Sequence, residues 1–375
     1  MAAKHMFDFE ASPLDPCEYS IRVRVQDSFT GVLIRCDDPD GSDHFSVWNW
    51  RTGEKQLVGS LFLSHTHDLL PLFEQQMYAK EYSFEDFIFL DSRSVMLAVN
   101  GATVTLQIWC FDKALVFHVG SFGLPPVIEY TAYNNMQFGG GPLPSVPQCL
   151  DGSPFAPTPE TKVLAVSFGA VETDTYDTLE SYTIVMRLSY MFDALGMLAC
   201  SHKLFLCDQC IPVGTGKALE WDAWGPECTR WISHGRQILK GKPCLVGGRL
   251  AINSYSDISL PGPATSLFPV IRVYDFRPEI VARCAQSHPQ EVYTHDTIMP
   301  SDNIFQEDII STLPYHVATS KILDHEMSGL MMDQGQLVCL KVTQMLLVGW
   351  MPEAKRLYNQ AERDDEWRTV TIYRF

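Results

Sequence analysis

Apolar positions along this 375-residue chain recur in short runs and almost never with the period of an amphipathic helix. The runs are rich in β-branched and aromatic residues. Gly31-Val-Leu-Ile-Arg35, Phe87-Ile-Phe-Leu90, Val95-Met-Leu-Ala-Val99, Val163-Leu-Ala-Val-Ser-Phe168 and Gln344-Met-Leu-Leu-Val348 are examples. Turn-forming residues separate such runs, as at Arg51-Thr-Gly53, Asn100-Gly101 and Asp333-Gln-Gly335. The pattern predicts an all-β chain of short strands and tight turns.

Within it one motif returns: an aliphatic residue, an aromatic, any residue, an aromatic. It reads Val47-Trp-Asn-Trp50, Ile108-Trp-Cys-Phe111, Val273-Tyr-Asp-Phe276 and Ile372-Tyr-Arg-Phe375. Alternate residues of a strand share a face, so each motif sets two aromatics on one side and an aliphatic on the other. Burial on both faces suits a sheet held between neighbouring sheets. From Trp48 to Trp109, Tyr274 and Tyr373 the steps are 61, 165 and 99 residues. They read as one, three and two units of about 50–60 residues, the length of a four-stranded propeller blade. The expectation is a single closed β-propeller of six or seven blades over residues 29–375, after an N-terminal extension of residues 1–28. The strand ending at Phe375 would close the ring against an early strand.

Two stretches interrupt the pattern. Residues 139–160 hold six prolines and four glycines and read as a long loop between blades. Residues 352–366 are highly charged and read as an insertion projecting from one face of the ring.

Composition narrows the functional classes. Hydrophobic residues make up 46% of the chain, enough for a large core. The net charge of −17 opposes binding to nucleic acid and to anionic membranes. Eleven irregularly spaced cysteines in a long chain fit reduced core residues better than a disulfide framework. There is no apolar leader, no run of about 18 apolar residues and no Asn-x-Ser/Thr acceptor, so the expected location is the cytoplasm.

Chemical signatures are sparse. Ser64-His-Thr-His-Asp68 partly resembles the His-x-His-x-Asp-His run of the metallo-β-lactamase fold, and His65 and His67 would share a side in an extended segment. Asp68 follows His67 directly, however, and leucines occupy the later ligand positions. Cys207-Asp-Gln-Cys210 is a single CxxC without a second pair. Neither is read as a metal site, and no cofactor is expected. A Gly-x-Ser-x-Gly elbow, a Walker loop, a dinucleotide fingerprint and an HExxH helix are all absent from the sequence. The densest aromatic cluster is Trp221, Trp224 and Trp231. With Arg230 and His234 it forms the candidate ligand pocket.

Four stretches resemble, in order, the C-terminal β-propeller-like regions of the large F-box protein families of mushroom-forming fungi. They are Val47-Trp-Asn-Trp-Arg-Thr-Gly53, Trp224-Gly-Pro-Glu-Cys-Thr-Arg-Trp231, Pro269-Val-Ile-Arg-Val-Tyr-Asp-Phe276, and Leu330-Met-Met-Asp333 through Leu347-Val-Gly349. The resemblance implies a propeller that holds protein partners. The F-box itself, a helical segment, has no counterpart in the first 28 residues, where Ala11-Ser-Pro-Leu-Asp-Pro16 lacks a helical pattern. The expected function is therefore a binding module for a protein partner or a small apolar ligand. The alternatives are a metal-free cyclase or pericyclic enzyme of specialised metabolism with an aromatic pocket, and an intracellular glycan-binding propeller.

Overall fold

A computed structural model describes residues 19–36, 43–60, 83–101, 103–112, 115–140, 162–195, 217–235, 243–258, 266–302, 304–320, 329–332, 336–342 and 368–374. These residues fall into two compact units. One lies within Met1–Arg236 and Thr294–Pro314, the other within Gln237–Tyr293 and Tyr315–Phe375. The architecture is all-β, with three short helices among the described residues. No sheet closes on itself among the described strands. No described helix is long and apolar enough to cross a membrane.

The first unit contains three larger sheets, each built mostly from consecutive strands. The first is the meander of β1 (Tyr19–Gln26), β2 (Phe29–Cys36), β3 (His44–Asn49) and β4 (Lys55–Ser60). The second runs antiparallel through β5 (Ser83–Phe89), β6 (Ser94–Asn100), β7 (Thr105–Asp112) and β8 (Leu115–Gly123). The third orders β9 (Thr131–Gly139), β10 (Val163–Glu172), β11 (Thr178–Arg187) and the later β13 (Thr229–Ser233). Helix α1 (Leu188–Ala194) follows β11. The short β12 (Lys217–Leu219) then adds to β8 in parallel.

Two-sided burial, read from the aromatic motif, holds in β7. Ile108 and Cys110 enter one core cluster, with Met96, Ala98, Phe138 and Leu164, while Trp109 and Phe111 enter another, with Leu33, Phe45, Phe87 and Leu97. The second sheet is thus packed on both faces, which explains its near-continuous apolar sequence. Phe87 reaches across to the first sheet because Gly31 faces it. A Cβ on Gly31 would stand 2.5 Å from the Phe87 ring.

The first strand departs from expectation. β1 lies inside the segment read as an extension, and its polarity is inverted. Ile21, Val23 and Val25 are exposed, while Arg22 and Arg24 are half-buried. The reason is a carboxylate. A bulge between Phe84 and Asp86 inserts one residue into β5, so the adjacent acids Glu85 and Asp86 are both buried. Arg22 and Arg24 contact Asp86 Oδ2 at 3.1 and 3.0 Å, and the Phe138 amide donates to the same oxygen at 2.8 Å. The two guanidiniums also donate to the carbonyls of Met136, Phe138 and Gly140. Among the described strands β9 is an edge strand, with one row of backbone groups that none of them pairs, and arginines satisfy part of that row. Arg35 pairs with Glu85 at 3.1 Å, and burial still pushes the Glu85 carboxyl above its usual range.

In the second unit, β14 (Cys244–Val246), β15 (Arg249–Ile258), β16 (Ser266–Asp275), β20 (Tyr315–Thr319) and β17 (Val292–Tyr293) form one sheet. β21 (Gly329–Met332), β22 (Gln336–Val342) and β23 (Arg368–Arg374) form another. In the β16 motif, Val273 packs beside Ala251, Ile271 and Leu337, while Tyr274 contacts Tyr315. An α-helix, α3 (Pro278–Ser287), follows, with Pro278 in its first turn. Between β17 and β20 the chain supplies the hairpin β18 (Thr297–Met299) and β19 (Ile309–Ser311) to the first unit. Most of the proline-rich stretch, and the charged insertion at 352–366, lie outside the described residues.

Replacing Asp86 by alanine leaves two guanidiniums and an amide facing a void. The expected loss is about 3 kcal/mol of stability, read as a lowered urea midpoint. An unchanged midpoint would mean that the junction is not held by this carboxylate.

Candidate functional site

A cavity of about 590 Å³ opens in the first unit between the end of β8, the start of β9, the helix α2 (Trp221–Cys228) and the 306–309 segment. Each wall has a local cause. After β8, Gly123-Leu-Pro-Pro126 ends the strand, since prolines supply no amide to a ladder. The turn is fixed by Leu124 N donating to Val104 O at 2.9 Å. The Tyr133 hydroxyl donates to Pro125 O at 2.7 Å. Across the cavity, Gln306 ties itself to Pro126 and Val127 through its amide nitrogen and its side chain.

α2 begins at the sequence Glu220-Trp-Asp222. Trp221 is buried, lines the cavity, and stacks edge-to-face with Trp224 at 5.2 Å and Trp231 at 5.7 Å. Gly225 permits this placement, because a Cβ there would lie 2.3 Å from the Trp221 ring. Glu220 stands at the N-cap but makes no capping hydrogen bond. Its Oε2 lies 3.5 Å from where a Cβ on Gly123 would sit, on the cavity wall.

The lining carries four carboxylates, those of Glu220, Asp222, Glu307 and Asp308, all on exposed residues. Among the described residues it includes no lysine, arginine or histidine. Asp308 accepts from Ser301 N at 2.8 Å, which shapes its loop. Thr131, only 5% exposed, also lines the cavity, and its hydroxyl makes no hydrogen bond among the described residues. No group of three metal-ligating side chains gathers among the described residues.

Of the five pocket candidates read from the sequence, Trp221 lines this cavity and the other four are not among its lining residues. Trp224 is 2% exposed, and its indole N–H donates to Gly123 O at 3.0 Å. Trp231 is buried among Phe168, Tyr182 and Phe305. Arg230 is 1% exposed. Its guanidinium donates to Leu313 O at 2.7 Å, to His295 O at 3.2 Å and to the Thr297 hydroxyl, clasping the 294–314 segment. His234 Nε2 sits 2.9 Å from Thr183 Oγ1. His65, His67, Cys207 and Cys210 lie outside the described residues.

None of the four acids is among the five candidates read from the sequence. Their signal was present as acid–aromatic–acid at Glu220-Trp-Asp222 and as the pair Glu307-Asp308. The two segments are far apart in the chain, and only the fold brings them to one rim. Behind the cavity, burial chiefly, with Glu227 and Asp193 adding to it, pushes the Cys228 thiol up to about 12.

No family model matches the sequence, and no curated protein sequence does. Among solved structures, the chain is similar to a crystal structure of the tricorn protease, with 8% identity and a TM-score of 0.35 over 96% of this chain and 26% of that one. It is also similar to a crystal structure of the WD40 domain of SCAP from fission yeast, with 9% identity and a TM-score of 0.33 over 85% of this chain and 57% of that one. The chain thus spans about a quarter and somewhat over half of those two chains. Likeness at this level assigns neither activity nor partner.

Two outcomes check the geometry. Gly225→Ala forces the Trp221 ring aside, with an expected cost of about 2 kcal/mol and a changed tryptophan emission; an unaltered emission would contradict the packing. Cys228 is expected to resist iodoacetamide at neutral pH in the folded protein and to react once urea unfolds it. Rapid labelling of the folded protein would show a thiol that is not buried.

Proposed function

We propose that this chain is a non-catalytic interaction module of β-propeller type, whose meandering sheets act as blades and whose partner is met at the cavity of the first unit. The blade reading is supported by sheets of consecutive antiparallel strands and by the second sheet's burial on both faces. The carboxylate-rimmed cavity carries the binding reading. Its described lining supplies carboxylates, amides, hydroxyls and one indole, groups that suit a polar partner.

Light scattering on the complex purified with the tagged full chain should give a stoichiometric partner. Thr103→Arg, which places a long side chain at the cavity's exposed lining, should abolish its recovery. Retention of the partner by this variant, or turnover of a small molecule by the purified chain alone, would refute the reading.

A further inference from the structure

We propose that the cavity of the first unit is a receptor for an organic cation, the ammonium or guanidinium of a lysine or arginine side chain presented by the protein partner. The inference rests on the interaction reading for its source of the cation, but its chemistry is argued from the cavity. Glu220, Asp222, Glu307 and Asp308 converge there from two distant segments, without a basic residue among the described lining. Like charges gathered at one concave surface repel one another, and a bound cation relieves that repulsion.

The simplest structural role for Glu220 is to cap α2, and it does not do so. The positive end of α2 would by itself favour an anion. Glu220 and Asp222 reverse that preference. The acids form no metal-holding group among the described residues, and a cavity of about 590 Å³ has room for a long side chain.

The second observation is independent of the acids. Thr131 is 95% buried and lines the cavity, and its hydroxyl, which makes no hydrogen bond among the described residues, can accept from an N–H donor. Trp221 adds an aromatic surface suited to a cation and its alkyl stem. A lysine or arginine enters as a long apolar stem with a charged tip, which matches prolines and an indole ringed by carboxylates.

Calorimetric titration of the full chain with blocked tripeptides tests this, the central residue being lysine, arginine, acetyl-lysine or norleucine. Lysine and arginine peptides should bind saturably, and the two neutral peptides at least about tenfold more weakly. Glu220→Gln and Glu307→Gln should each weaken the lysine peptide about fivefold, and raising salt to about 0.5 M should weaken it further. Thr131→Val, nearly isosteric, should cost about threefold while leaving the melting temperature unchanged.

Equal affinity for acetyl-lysine, insensitivity to both glutamate substitutions, or no binding of any cationic peptide would overturn the proposal. Binding of n-butylammonium as tight as that of the lysine peptide would overturn the assignment to a partner's side chain and point to a free amine. The two readings fail separately. Partner recovery that depends on Thr103 while the peptides do not bind removes only the cation assignment. Peptide binding without a Thr103-dependent partner removes only the interaction module.

Discussion

The first unit depends on one buried carboxylate. Asp86 lies where three sheets meet and accepts from the first sheet through Arg22 and Arg24, and from the third through the Phe138 amide. It belongs itself to the second sheet. A buried charge of this kind is tolerated because its hydrogen bonds and ion pairs offset the desolvation cost. The two arginines also occupy carbonyls on the unpaired side of β9. Charge therefore does here what a neighbouring strand would do elsewhere, and it holds β1 with its apolar residues facing outward.

The cavity depends on a buried cation. Arg230 clasps the 294–314 segment by three donors, and Phe305 from that segment packs against Trp231, Tyr182 and Tyr133. Glu307 and Asp308 are consequently brought to the same rim as Glu220 and Asp222. Thus the tryptophan cluster acts mainly as the floor that supports the cavity, with Trp221 alone at its lining. The acidic rim is a local concentration of the charge that gives the chain its net −17.

Much of this was legible in the residues. Alternation and turn chemistry report on neighbours a few positions away, so they predicted an all-β chain. The motif at Ile108-Trp-Cys-Phe111 correctly implied a strand buried on both faces, since face alternation is a property of the backbone itself. The inverted strand at Ile21-Arg-Val-Arg-Val25 was not legible. The same alternation fits either face inward, and the choice was made by Asp86, more than 60 residues away.

The rim followed the same rule. Glu220 beside Trp221 is ordinary helix-start composition until Glu307 and Asp308 arrive from another part of the chain. Most strands and turns were thus written locally, because backbone preference acts over a few residues. Which face of β1 turns inward, and which carboxylates share a cavity, were decided only in three dimensions, where buried charges find their partners irrespective of sequence separation.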